Sequence, residues 1–266
     1  MTRSRTADGS AGDADYGQIG GRYADYRQAD PRIAAAIVEA LGPARRVINI
    51  GAGAGSYEPT DRDVTAVEPS ASMRAQRPSH LPPAVDGVAE QLPFDNGTFD
   101  AAMTTFSVHQ WPDLEAGLRE MRRVTTGPVV ILTCDPSRLD RFWLIDYAPD
   151  VITTEARRYP AIDTLREHLG DHAGVRTVPI PLDCTDGFNE AYYGRPELLL
   201  DPAARKSCSA WSFVSSEQTA AYDTALRDAL TDGRWDARHG HLRTQPTFDG
   251  SLVLVVNTPG GSGRPA

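Results

Sequence analysis

Val47-Ile48-Asn49-Ile50-Gly51-Ala52-Gly53-Ala54-Gly55 is the stretch on which the reading of the fold turns. A short apolar run stops abruptly at glycines on alternate positions. This is the pattern of a buried strand whose backbone then turns sharply and can approach a ligand with no Cβ in the way. A helix is expected after Ser56. The next apolar run, Val64 to Val67, ends at Glu68. In doubly wound sheets an acid at the tip of that strand accepts hydrogen bonds from ribose hydroxyls. Loop and acid together point to an adenosine-containing cofactor. The dinucleotide fingerprint G-x-G-x-x-G is not met, because Ser56 stands where its last glycine belongs.

Upstream, Asp30-Pro31 is a helix start, an N-cap acceptor followed by a residue with fixed φ. Ile33, Ile37, Val38 and Leu41 then share a face before Gly42-Pro43. Downstream, Phe99 to Phe106 and Pro128 to Cys134 read as strands, with a helix between them carrying Leu114, Leu118 and Met121 on one side. Arg176 to Leu182 and Ser251 to Thr258 read as the last strands, with a helix from about Glu217 to Asp232 between them. Roughly seventy residues separate those two strands, too many for a plain connection. The expected fold is therefore α/β, a doubly wound, Rossmann-like, mostly parallel sheet, with a helical, aromatic-rich cap inserted before the last strand. A single domain is expected over 16–258, with the insertion at about 183–250 and flexible tails at 1–15 and 259–266.

The chain has 266 residues, 40% of them hydrophobic and 24% charged, and a net charge of −9. That balance fits a globular protein and argues against a nucleic-acid partner, which wants clustered positive charge. No apolar run approaches the length of a membrane span, and no leader-like stretch opens the sequence. Three widely spaced cysteines, Cys134, Cys184 and Cys208, match neither a disulfide framework nor a metal site. A cytoplasmic protein with no resident metal is expected. Lys206 is the only lysine and follows no glycine loop, which excludes Walker-type phosphate chemistry.

Over residues 16 to 135 the sequence resembles the class I S-adenosylmethionine-dependent methyltransferases, in particular the UbiE-like branch that acts on small molecules. Four motifs in order carry the resemblance: Ile50 to Gly55; Ala66-Val67-Glu68-Pro69-Ser70-Ala71-Ser72-Met73; Gly87-Val88-Ala89-Glu90-Gln91-Leu92-Pro93-Phe94; and Val108-His109-Gln110-Trp111. The resemblance implies the class I methyltransferase fold and S-adenosylmethionine as cofactor. It implies cofactor contacts from Asn49, Gly51, Ala52, Gly53 and Gly55, from Glu68 and Pro69, from Met73 beside adenine, from Ala89 and Glu90, and from Thr105 at a strand end. Tyr23, Tyr26 and Arg27 resemble a segment that closes over the cofactor, with Arg27 placed to pair with its carboxylate. Two positions depart from the pattern. Asn49 and Val88 stand where the family usually and often, respectively, has an acid.

Methyl transfer from a sulfonium is an in-line displacement, so alignment in a dry pocket does most of the work and no fixed triad is required. His109, after the fourth motif's strand, is the candidate base, with a packing role as its alternative. Trp111, Trp143, Tyr147, Tyr192 and Tyr193 are candidate substrate contacts, or else the insertion's own core. His239 and His241 read as a surface loop. The expected partner is a small, partly aromatic or polyketide-like molecule, bound by a monomer or homodimer. Two alternatives stay open, a non-catalytic cofactor-binding subunit and an NAD(P)-dependent reductase.

Overall fold

The computed structural model of the protein describes residues 26–170 and 173–258. The tails at 1–15 and 259–266 and the candidate Tyr23 lie outside those residues. α1 (Pro31–Leu41) begins as its sequence predicts: the Asp30 side chain accepts from the Arg32 N–H, and Gly42, with φ 57°, ends it. Its buried Ile33, Ile37 and Leu41 lie against the sheet, each worth about 1.5–3 kcal/mol on burial.

β1 (Arg46–Ile50) and β2 (Asp63–Val67) follow. The helix expected after Ser56 is not formed; residues 51–62 cross between the strands in turns. The connection is short, holds Pro59, and is held by a buried ion pair between Glu58 and Arg77 at 2.8 Å. The chain then runs through α2 (Ala71–Ala75), β3 (Ala101–Thr105), α3 (Leu114–Arg123), β4 (Val129–Cys134), α4 (Pro149–Arg158), α5 (Ile162–Leu169) and β5 (Ala173–Thr177). After these come β6 (Ile180–Pro181), α6 (Pro202–Lys206), α7 (Ser216–Thr231), α8 (Arg234–His239), β7 (Thr247–Phe248) and β8 (Leu252–Asn257).

The sheet order is β2-β1-β3-β4-β8-β5. β1 pairs in parallel with β2 and β3, and β3 with β4, while β8 runs antiparallel to both its neighbours. This is the mostly parallel α/β sheet expected. The expected strand from Arg176 to Leu182 is instead broken into β5 and β6, the latter pairing with β7 in a small second ladder. Pro179 and Pro181 have no N–H to give a continuing ladder.

Alternate residues of β4 serve opposite faces: Val130 and Leu132 pack with α1 and the segment before β8, Val129 and Ile131 with α3 and α5. Both faces are covered, so β4 is buried throughout and largely apolar. Residues 183–250 share the first of these cores through Phe188, Tyr193, Trp211, Tyr222 and Trp235. Among the described residues no helix is long and apolar enough to cross a membrane, and no group of His, Cys, Asp or Glu is placed to hold a metal.

Candidate functional site

At the carboxyl edge of β1, β2 and β3 lies a cleft of about 860 Å3, its open side included. The glycine loop forms one wall. Gly51 and Gly53 both have left-handed φ, 66° and 54°, and the N–H groups of Gly51 and Ala52 donate to the Val67 carbonyl at 2.9 and 3.0 Å. A Cβ at Gly51 would stand 1.8 Å from Ser107 Oγ, so the residue is glycine for both conformation and space. Ser107 in turn accepts from Trp111 Nε1 at 3.0 Å. Glu68, 6% exposed, accepts from the Gly53 N–H through Oε2 and from the Ser70 N–H through Oε1, each at 2.8 Å. Two N–H donors hold the carboxylate rigid at the tip of β2. Met73, Ala89, Glu90 and Thr105 complete the walls with Pro69 and Val88. Glu90 also accepts from the Asp113 N–H at 3.2 Å, at the start of α3.

Three expected contacts are placed differently. Asn49 is fully buried behind the loop, not on the cleft wall; its Nδ2 donates to Glu58 Oε1 at 3.0 Å. An amide serves there because the carboxylate it faces, Glu58, already carries the charge and is neutralised by Arg77. Gly55 turns away toward a neighbouring groove beside Arg77 and Leu81. Arg27 does line the cleft, yet its Nε donates to Asp186 at 2.5 Å. Its guanidinium also lies 5.0 Å from the centre of the Phe106 ring. The charge expected to meet a cofactor carboxylate is thus engaged within the chain, where Tyr57 Oη also donates to Asp186 at 2.8 Å.

Arg27 and Phe106 form a shared wall, since both also line a second, inner cavity beneath the segment 188–209. Phe106 holds a left-handed backbone, φ 49°, a strain of the kind that persists where surrounding structure demands a side-chain direction. His109 lies in this inner cavity rather than in the cleft, its ring 4.4 Å from that of Tyr159. Glu155 faces the same space, and burial raises its pKa above the usual carboxylate range. Burial raises the thiol pKa values of Cys134 and Cys208 too, the latter to about 12, so neither is a thiolate nucleophile near neutrality.

Of the aromatic candidates, Trp111 alone reaches the cleft, lying against Gly117. Trp143 donates from Nε1 to the Tyr193 carbonyl at 2.9 Å and packs on Tyr147 and Trp235. Tyr193 stacks on Phe248, and Tyr192 is buried beside Arg195. These four pack in or against the core that the insertion shares with the sheet, Tyr147 partly exposed, and none of them lines the cleft or the inner cavity. His239 is no free surface residue either; it packs on Trp235 and meets Asp146 at 3.2 Å. The sequence reading missed Phe106, Ser107, Glu155, Tyr159 and Asn189. For Glu155 a signal existed: it falls on the helical face that carries Val151, Ile152 and Tyr159, an acid at an apolar position.

A family model described as a methyltransferase domain matches residues 48–130. Over 99 residues the chain is 35% identical to the demethylmenaquinone methyltransferase of Mycolicibacterium gilvum (strain PYR-GCK), a match covering 36% of this chain and 43% of that protein. The corresponding enzyme of Mycobacterium tuberculosis H37Rv is 32% identical over 99 residues, 36% of this chain and 42% of its own length. The match thus spans less than half the length of these relatives. Among solved structures, a protein assigned to methyl transfer in an antibiotic biosynthesis pathway of Anabaena variabilis ATCC 29413 superposes with a TM-score of 0.81. It is 28% identical, over 88% of this chain and 99% of that one. The fold alone is shared with the [4+2]-cyclase SpnF, at TM-score 0.54 and 15% identity over 91% of this chain and 92% of that one. The glycine loop, the acid on β2 and the cleft between them occupy the matched region: over residues 48–130 the chain carries a methyltransferase domain, set in a sheet of the class I methyltransferase fold.

Proposed function

We propose that the protein transfers a methyl group from S-adenosylmethionine to a small molecule. The observation that carries this reading is Glu68, a carboxylate at the tip of β2 fixed by two backbone N–H groups on the wall of the cleft, the place where doubly wound sheets take ribose hydroxyls. The left-handed glycines let the backbone lie close to the ligand, and Met73 offers an apolar surface for adenine beside Gly53. When bound, S-adenosylmethionine supplies an electrophilic methyl on a sulfonium. The chain's own part is to bind, align and exclude water: Phe106 and Arg27 stand between cleft and inner cavity, where an acceptor would sit. The small-molecule acceptor is supported by the enclosure of that cavity and by the relatives named for demethylmenaquinone and for an antibiotic pathway.

One feature weighs against a nicotinamide dinucleotide. Pyrophosphate is taken up at the N-terminus of the helix behind the glycine loop, and here turns replace that helix. A sulfonium nucleoside carries no phosphate and loses nothing by its absence. Because the same fold also serves a [4+2]-cyclase, binding and turnover need separate tests. Calorimetric titration with S-adenosylmethionine, S-adenosylhomocysteine and NADPH is expected to give micromolar binding of the first two and none of the third. Binding of the nicotinamide alone refutes the reading. Tight binding with no methylated product across an acceptor screen favours the non-catalytic subunit.

A further inference from the structure

The inner cavity holds a built acceptor group. Trp211 Nε1 can only donate, and it donates to Asn189 Oδ1 at 3.0 Å. That fixes the amide so that Asn189 Nδ2 donates to Glu155 Oε2 at 2.7 Å. Glu155 is thereby held as an acceptor, and among the described residues its Oε1 takes no hydrogen bond. The residue keeps some accessible surface on the cavity it lines. A half-buried carboxylate oxygen that faces a cavity with no donor of its own is a ready acceptor for a ligand N–H or O–H.

Charge and shape narrow the ligand. The guanidinium groups of Arg27 and Arg158 both act on Glu155; the first is balanced by Asp186, and the second donates to Ser209 Oγ at 2.8 Å. Charges of both signs therefore already face the cavity. An ammonium would meet the two guanidinium groups, and a carboxylate would face Glu155. The lining is rich in rings: Phe106 lies 5.4 Å from Phe188, and His109 lies 4.4 Å from Tyr159. We propose, resting on the methyl-transfer reading, that this cavity receives the acceptor and that Glu155 selects molecules presenting a neutral hydroxyl on a flat ring, the hydroxyl donating to Oε1.

The test is ligand titration of protein saturated with S-adenosylhomocysteine, using phenol, anisole, benzylamine and benzoate as probes. Phenol is expected to bind about tenfold or more tightly than each of the other three, the worth of one hydrogen bond to a charged group. In Glu155→Leu its advantage over anisole should shrink to about twofold or less, with S-adenosylhomocysteine affinity unchanged. Glu155→Gln serves if the leucine variant does not fold. Asn189 still holds its amide oxygen, so an NH2 group replaces Oε1 and the phenol preference is lost in the same way. Equal binding of phenol and anisole by the wild type, a preference for benzylamine or benzoate, or a phenol preference that survives both substitutions overturns the proposal. Failure of S-adenosylhomocysteine itself to bind removes the methyl-transfer reading and this proposal with it.

Discussion

Gly51 and Glu68 set the geometry of the cleft from opposite sides. A methyl group on residue 51 meets Ser107 Oγ and a left-handed backbone at once, and the conformation alone costs about 1–2 kcal/mol. Gly51→Ala is expected to lower the melting temperature and to abolish measurable S-adenosylhomocysteine binding; a variant that binds as wild type would mean the loop relaxes freely. Glu68→Ala removes a charged acceptor and should weaken cofactor binding by ~1–3 kcal/mol, read by calorimetry, with unchanged affinity taking Glu68 out of the site. Both residues were legible in the sequence because their roles depend on local backbone, a turn and a strand tip. Asn49 was not. Its side chain answers to Glu58 and Arg77, partners whose position no spacing near the loop reveals.

Among the elements, α3 shows how a tertiary contact can reverse a local preference. Gly117 lies inside this helix, where alanine would ordinarily stabilise by about 0.5–1 kcal/mol. Here an added Cβ would stand 2.5 Å from Trp111 Cε3 and 3.3 Å from Ala89, and overpacking costs about 1–3 kcal/mol. Trp111 cannot swing aside without breaking its bond to Ser107. Gly117→Ala should therefore lower the melting temperature and weaken S-adenosylhomocysteine binding by shifting the cleft wall, whereas a gain in stability would show the indole to be mobile. The strands from β1 to β4 were readable from apolar runs, and α1 from its caps. The absent helix after the glycine loop was not, because loop and acid look alike whether a helix or turns follow. The four aromatic residues assigned to substrate failed for a related reason: composition marks them as large and apolar but not which core they fill.

Across the whole molecule, the insertion is pinned to the sheet by a carboxyl group. Glu190 accepts from the Ser251 N–H and hydroxyl, just before β8, and burial raises its pKa from 4.5 to about 7. The fold therefore prefers the protonated form. This contribution to stability is complete below about pH 4.5 and is lost as pH rises through about 7, on the order of 3 kcal/mol for such a shift. Thermal melts from pH 5 to 8 should show wild type losing stability relative to Glu190→Gln; parallel curves would show that Glu190 does not titrate in this range. The same long-range connection kept the insertion's arrangement out of reach of sequence reading, since residues 188–209 meet β3 and β4 from far along the chain.

The position of β8 carries a consequence for the order in which the protein can be made. Both β4 and β5 pair with the strand Leu252–Asn257, which leaves the ribosome after everything it joins. Until then the nascent chain holds four strands with β4 as an open, largely apolar margin, and β5 waits with no ladder to enter. Such margins invite pairing with other chains. A premature stop before residue 252 would therefore yield two unmatched borders in place of a slightly shorter protein, and translation speed over the preceding segment sets how long that hazard lasts.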